Sequence, residues 1–206
     1  MGMTTRTRIL TVDPANPDPA LIREAAACVK RGGLVAFPTE TVYGIAANLN
    51  DPQAIQELYF VKQRPFEKQV TIHLADSAGV ASYGVRIPPL ARRLMDRFWP
   101  GPLTIVLPRP DGSTLGFRVP NHPVALALLA AAAVPVVAPS ANLSGKPAPS
   151  TAQDVLRDLQ DKIDFVIDAG PTAIGVSSTV VDFSGEVPRI LREGAGIEAI
   201  QRALSE

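Results

Sequence analysis

The sequence predicts an α/β fold in which a twisted mixed sheet, with both parallel and antiparallel strands, is flanked by helices. Segments with the 3.6-residue spacing of amphipathic helices alternate with short apolar runs typical of buried strands. A tight turn at 110–112 joins two neighbouring apolar runs and favours an antiparallel pair. The chain also contains 20 prolines, which lie between apolar segments and indicate many shaped loops. Sheets of this kind bind ligands where strands run into loops.

In the first half of the chain, predicted strands and helices are separated by turn residues. The strands are expected at 8–12, 34–38 and 69–75, and the helices at 19–31, 52–61 and 89–99. Asp51 and Pro52 supply an N-cap and a first helical residue for the second helix. The third helix is expected to end abruptly, because a Pro-Gly-Pro sequence follows it.

The second half of the chain predicts more strands than helices. The strands are expected at 103–108, 115–119, 136–138, 165–168, 179–183 and 189–192, and the helices at 123–134, 151–160 and 197–204. Ser150 or Thr151 is the expected N-cap of the second of these helices. Because no repeat or low-complexity linker interrupts the pattern, we expect residues 1–206 to form a single domain with no second C-terminal domain.

Composition and charge narrow the function classes. With 46% hydrophobic and 19% charged residues, the chain has a globular rather than a disordered composition. Its formal net charge of zero argues against a generic polyanion binder but allows a local basic site. The one cysteine, Cys28, permits no intrachain disulfide, which fits a cytoplasmic protein. We expect no signal peptide and no membrane association, since the longest apolar run, 124–134, is shorter than the roughly 20 residues of a bilayer span.

Familiar nucleotide-binding and metalloenzyme motifs are absent from the sequence, and no metal-binding cluster is expected. The candidate chemistry lies in polar loops beside buried strands. Two hydroxyls, a carboxylate and a phenol follow the strand at 34–38, in Thr39, Thr41, Glu40 and Tyr43. They suit hydrogen bonding to an amino acid or sugar, or simply form a capped turn. His73 lies in a predicted strand and suits either a ligand contact or a core position.

Cationic and small polar residues form the other candidate groups. Lys62 and Arg64 are two residues apart and suit a phosphate or carboxylate, although such pairs are also common on solvated surfaces. The remaining candidates, which lie in loops or at strand ends, are Arg118, Ser140, Asn142, Ser177, Ser178 and Arg192. The serines follow or precede glycine-rich turns, where backbone N–H groups can face an anion, and ordinary connecting loops have the same composition.

Six short motifs, read together, resemble the YrdC-like family of threonylcarbamoyl-AMP synthases. They occur in one order between residues 33 and 196: PTETVYG, KQRP, FRVP, PSANLSGKP, SSTVVD and ILREG. The family signature, Lys-x-Arg with a later Ser-x-Asn, corresponds to Lys62, Arg64, Ser140 and Asn142. The family fold has a large open cleft in a twisted mixed sheet, and we expect a cationic cleft in this chain.

The resemblance implies a nucleotidyltransferase. L-threonine, bicarbonate or CO2, and ATP would give L-threonylcarbamoyl-AMP and pyrophosphate, and a separate threonylcarbamoyl transferase complex would then modify an adenosine beside the tRNA anticodon. Lys62 and Arg64 are the implied catalytic residues. The implied ATP-binding residues are these two with Arg118, Ser140, Asn142, Ser177, Ser178 and Arg192. The implied threonine-binding residues are Thr39, Thr41, Tyr43 and His73. Mg²⁺ is expected to travel with ATP.

Two alternatives remain open at this point. A double-stranded RNA-binding or ribosome-associated factor without catalysis would use the same cations, with weak RNA binding. Carbamoyl transfer to another acceptor is a second possibility, although the short chain and single cysteine argue against the zinc-finger segments of such proteins. The chain also departs from many relatives at 66–70, which reads Phe-Glu-Lys-Gln-Val instead of ending in Asn-Pro-Leu.

Overall fold

The computed structural model describes residues 6–206, and its centre is one ten-stranded sheet with the order β1-β8-β2-β3-β7-β4-β6-β5-β9-β10. The strands are β1 (Arg8–Thr11), β2 (Val35–Phe37), β3 (Gly44–Asn48), β4 (Thr71–His73), β5 (Leu103–Pro108), β6 (Thr114–Arg118), β7 (Val136–Val137), β8 (Phe165–Asp168), β9 (Thr179–Asp182) and β10 (Arg189–Arg192). Parallel pairs (β1–β8, β2–β8, β4–β6 and β5–β9) are mixed with antiparallel ones. The mixed sheet predicted from the sequence is confirmed.

Within residues 6–206, six α-helices flank the sheet. They are α1 (Pro19–Lys30), α2 (Pro52–Val61), α3 (Pro89–Phe98), α4 (Pro123–Ala132), α5 (Ala152–Leu159) and α6 (Ile197–Leu204), and a 3₁₀ helix at Ser77–Tyr83 precedes α3. Asp51 caps α2 by accepting hydrogen bonds from the backbone of Gln53 and Ala54. Thr151 rather than Ser150 caps α5, in a capping box with Asp154. Among the described residues, no helix is long and apolar enough to cross a membrane.

Side chains alternate between two hydrophobic cores on opposite faces of the sheet. In β2 and the residue before it, Leu34 and Ala36 join one core, and Val35 and Phe37 join the other. Helices α2, α3, α5 and α6 cover the first face, whereas α1 and α4 cover the second. The second core takes residues only from the half of the sheet that contains β1, β8, β2, β3 and β7. The other half of that face has no helical cover within the described range.

The structure corrects the element assignments in a few places. Strand β3 and the 3₁₀ helix were not predicted, and the strand predicted at 69–75 is shortened to β4. Helix α4 ends at Ala132, because Ala133 adopts the left-handed conformation with φ of 51°. The predicted antiparallel pairing of β5 with β6 is confirmed.

Candidate functional site

A cleft of about 370 Å³ lies over the uncovered half of the sheet. Leu103, Ile105 and Leu107 of β5 point into the first core, so Thr104 and Val106 point to the opposite side and form part of the cleft floor. The same alternation brings cleft-lining side chains from β4, β6 and β9. The cleft is therefore the bare face of four adjacent strands.

Strand register arranges the floor in two rows. The first row contains three polar side chains, one of them cationic, and ends in an apolar one: His73, Arg118, Thr104 and Val180. The second row is built largely from small residues and contains Thr71, Gly116, Val106 and Asp182. Because Gly116 has no side chain, nothing projects from the cleft floor at this position of the second row, which leaves room for a bulky ligand group.

Three arginines converge on this cleft. Arg64, after α2, donates from Nε to the Lys68 carbonyl oxygen at 3.1 Å and from Nη2 to the Gln69 carbonyl oxygen at 2.8 Å. Arg192, at the end of β10, donates from Nε and Nη2 to the carbonyl and hydroxyl oxygens of Ser178, both at 3.0 Å. Within the described part of the chain, neither guanidinium has a carboxylate partner. Both therefore carry uncompensated positive charge into the cleft.

The third arginine, Arg118, is almost fully buried and forms an ion pair with Glu40 at 2.9 Å. Burial lowers the pKa of Arg118, while the neighbouring Glu40 carboxylate raises it. The pKa of Arg192 is lowered by burial and by the positive charges of Arg118 and Arg64. The effect of Arg118 and Arg64 on Arg192, together with the place of all three guanidinium groups in the cleft lining, indicates one electrostatic neighbourhood, as an anion-binding site requires.

His73 lies in the cleft floor as a neutral imidazole. Its ring is buried, and burial together with the charge of Arg118 lowers its pKa to about 3, whereas the Thr71 carbonyl raises it. Nδ1 lies 3.2 Å from the carbonyl oxygen of Thr71, which only accepts hydrogen bonds. This contact assigns the proton to Nδ1 and leaves the lone pair of Nε2 available to accept a hydrogen bond.

The two threonines of the loop after β2 form a directed chain of hydrogen bonds. Arg118 Nη2 donates to Thr41 Oγ1 at 2.8 Å, and the Thr41 and Thr39 hydroxyls are 2.9 Å apart. Thr39 Oγ1 donates its proton to the Val42 carbonyl oxygen at 2.6 Å, so Thr41 is the donor to Thr39. Thr39 lines the cleft, but Thr41 does not. Both hydroxyl protons are used internally, and of the two threonines only Thr39 is placed to contact a ligand in the cleft.

Tyr43 and Lys62 also differ from expectation. The Tyr43 ring is fully buried, and its hydroxyl donates to the Gly170 carbonyl oxygen at 2.7 Å instead of facing the cleft. Lys62 is 1% exposed, and its Nζ donates to the Ser140 carbonyl oxygen and, at 2.6 Å, to the Asn142 carbonyl oxygen. Lys62 therefore binds the backbone of the loop after β7 and does not line the cleft.

The loop after β7 brings Ser140, but not Asn142, to the cleft. Asn142 is buried and donates from Nδ2 to the carbonyl oxygens of Leu143 at 3.0 Å and Lys146 at 2.7 Å. Its side chain thus closes the turn that follows Ser140, whereas its Oδ1 is buried without a hydrogen-bond partner in the described residues. The structure places Asn142 as a support of the loop and outside the lining of the cleft.

Ser177 and Ser178 line the cleft opposite this loop. The Ser178 hydroxyl lies 2.8 Å from that of Thr104, and a backbone bridge joins Ser178 to Ala195. Gly194 packs so closely on this segment that an added Cβ would lie 2.7 Å from the Ser178 carbonyl oxygen. Ser177, Ser178 and Arg192 are therefore held as one unit.

Several lining residues were missed by the sequence reasoning. Thr104, Gly116 and Asp182 lie within predicted strands, and only the alternation of β5, β6 and β9 shows that they face a cleft. Asp182 is paired with Arg189 at 3.1 Å and accepts from the Ser184 backbone at 2.9 Å. No group of three or more His, Cys, Asp or Glu residues that could hold a metal ion occurs in the described range.

Comparison with known proteins places this α/β fold and its cleft in a family. The family model described as Telomere recombination, which covers Sua5, YciO and YrdC proteins, matches residues 27–194. The chain therefore belongs to the Sua5/YciO/YrdC family, as the sequence motifs predicted.

Individual relatives are similar over most of the chain. A Bacillus subtilis protein named threonylcarbamoyl-AMP synthase is 41% identical over 201 residues, which are 93% of this chain and 58% of that protein. The crystal structure of Pyrococcus abyssi Sua5 complexed with L-threonine has a TM-score of 0.92 and 41% identity, over 97% of this chain and 62% of that one. A Mycobacterium tuberculosis relative is 35% identical over 89% of either chain. This chain thus spans less than two thirds of the first two proteins.

Proposed function

We propose that the chain is an L-threonylcarbamoyl-AMP synthase. The reaction joins L-threonine, bicarbonate or CO2, and ATP, and it releases pyrophosphate, with water when bicarbonate is the carbon source. The observation that carries the proposal is the convergence of Arg64, Arg118 and Arg192 on one cleft that also contains Ser140 and His73. Relatives in B. subtilis and P. abyssi that are both named threonylcarbamoyl-AMP synthase support it.

The proposed chemistry needs positioning and charge stabilisation rather than a protein nucleophile. A carbamate oxygen of N-carboxythreonine attacks the α-phosphorus of ATP, and the bond to the pyrophosphate oxygen breaks. Arg64 and Arg192, which lack carboxylate partners, offset the negative charge that gathers on the phosphates. Ser140, Ser177 and Ser178 line the same cleft and supply neutral hydrogen-bonding groups. The arrangement holds two anionic reactants together, which is the main entropic obstacle to their reaction.

Threonine is proposed to bind at the end of the cleft that contains His73 and Thr39. The neutral Nε2 of His73 accepts the hydrogen bond of the threonine hydroxyl, while the threonine carboxylate faces Arg118. Lys62 and Asn142 act by holding the backbone of the Ser140 loop. The P. abyssi structure with L-threonine supports an amino-acid site in this fold.

Mg²⁺ is proposed to enter as part of the ATP complex, with phosphate oxygens as its ligands. The described side chains do not form a resident magnesium site, because the oxygens of Asp182 are engaged by Arg189 and the Ser184 backbone. We further propose a cytoplasmic location and delivery of the product to a threonylcarbamoyl transferase complex that modifies tRNA, since the product is a reactive mixed anhydride.

The proposal is tested by pyrophosphate release from purified protein with ATP, L-threonine and bicarbonate. Release should require all three substrates. Arg192→Met should lower it by roughly 10- to 100-fold, the usual effect of losing a charge-assisted contact. Arg202→Met, at an exposed position of helix α6, is the matched control and should leave the rate unchanged. Release that does not depend on threonine, or normal release by Arg192→Met, would count against the proposal.

A further inference from the structure

A buried carboxylate lies directly behind the cleft and has no part in the proposed reaction. The Glu40 side chain is 10% exposed, and its Oε1 is 2.9 Å from Nη2 of Arg118. Neither carboxylate oxygen has a well-directed hydrogen bond from any described residue. Burying a carboxylate in this way costs free energy, and such an ion pair is weak evidence of a role in stability. Its position against Arg118 indicates another role.

Arg118 is restrained on one side of its guanidinium group. Nη2 donates to Thr41 Oγ1 at 2.8 Å and contacts Glu40, and Nε donates to the Gly101 carbonyl oxygen at 3.3 Å. Nη1 donates to no described residue. Because a guanidinium group is planar and rigid, fixing Nε and Nη2 also fixes the direction of Nη1. Nη1 is thus the part of Arg118 left for an anionic ligand in the cleft.

We propose that Glu40 is a positioning residue that holds the Arg118 guanidinium in the orientation needed by the anionic substrates, without touching them. This inference rests on the proposed function. Glu40 draws Nη2 away from the cleft and towards the interior, so that Nη1 faces the cleft. Its negative charge also balances that of Arg118, which leaves the net positive charge of the cleft to Arg64 and Arg192.

The variant Glu40→Gln separates the orientation of the Arg118 guanidinium from the electrostatic attraction of the cleft for phosphates. The variant keeps the size of the side chain but removes its charge, so the cleft becomes more positive while Arg118 loses its strongest restraint. We expect kcat to fall by roughly 10- to 100-fold, since small misplacements of a catalytic group have effects of this size. KM for ATP should not rise, because the added positive charge favours a phosphate. Glu40→Asp, which keeps the charge, should recover part of kcat.

A double-mutant cycle tests whether Glu40 acts through Arg118. Arg118→Met should lower kcat/KM, and Glu40→Gln added to Arg118→Met should cause no further loss. Glu24→Gln is the matched control, because it removes an exposed ion pair with Arg8 and should leave kcat and KM unchanged. Thermal unfolding of each variant monitors folding, and Glu40→Asp carries the test if Glu40→Gln is unfolded.

Two results would overturn the inference. One is a further loss of kcat/KM when Glu40→Gln is added to Arg118→Met, and the other is a fall in melting temperature with normal kcat and KM. If the wild-type protein releases no pyrophosphate, the proposed function itself fails. In that case the double-mutant cycle of Glu40→Gln and Arg118→Met is measured on ATP affinity by calorimetry. Additive effects of the two substitutions on that affinity would refute the positioning role of Glu40.

Discussion

Acidification should destabilise the folded protein through His73. Burial and the charge of Arg118 lower the pKa of this imidazole from 6.5 to about 3. At pH values between these two pKa values, the unfolded chain binds a proton that the folded chain does not. The free energy of unfolding therefore falls as the pH falls through this range. With these two pKa values, the loss between pH 7 and pH 5 comes to about 2 kcal/mol.

The measurement is urea-induced unfolding at pH 7, 6 and 5 for the wild type and His73→Asn. The stability lost by the wild type on acidification should exceed that lost by His73→Asn by about 2 kcal/mol. His122→Asn is the control: His122 is half-buried and caps α4 through Nδ1, a role that asparagine also fills. It should retain most of the wild-type pH dependence. Equal pH dependence in the wild type and His73→Asn would refute the buried neutral imidazole.

Three further predictions follow from the supports of the cleft. Lys62→Met should lower both activity and the free energy of unfolding, the latter by about 1–3 kcal/mol, because two buried carbonyl oxygens lose their donor. Arg64→Met should lower activity alone. Equal melting temperatures of the two variants would contradict the structural role of Lys62. Gly194→Ala should lower pyrophosphate release by displacing the Ser177–Ser178 backbone, whereas Gly185→Ala should not, because its added Cβ would meet no atom closer than 3.7 Å. Because His73 is proposed to accept a hydrogen bond from the threonine hydroxyl, 2-aminobutyrate should be rejected more strongly than serine in an assay of carbamoyl-adenylate formation. Equal use of 2-aminobutyrate and threonine would disprove that contact.

Local sequence signals predicted most of the fold because they depend on short-range chemistry. Proline and a capping residue begin α2, and the tight turn after β5 sets its antiparallel pairing with β6. Strand β3 was missed because its residues, Gly44–Asn48, are mostly small, and only Ile45 has the β-branched side chain typical of strands. The parallel pairing of β1 with β8 joins distant parts of the chain, and no local pattern predicts such a pair.

The candidate site was predicted by residue type but not by orientation. The sequence placed Lys62 and Arg64 together as ligand-binding cations, yet the fold buries Lys62 against carbonyl oxygens and leaves Arg64 at the cleft. Asp182 was not assigned a role, because its place in the cleft depends on strand alternation. Glu40 was grouped with its neighbouring hydroxyls as a ligand contact, and its pairing with Arg118, far along the chain, could not be predicted. Tertiary contacts therefore decide which polar residues face the ligand and which support the loops.

The central claim is that one cleft joins threonine, bicarbonate and ATP. The most direct measurement is mass spectrometry of the product formed by the wild-type protein with ¹³C-bicarbonate, L-threonine and ATP. The account predicts L-threonylcarbamoyl-AMP that carries the label in its carbamoyl carbon, and loss of this product in Arg192→Met. Hydrolysis of ATP without a labelled adenylate, or the same yield from Arg192→Met, would contradict it.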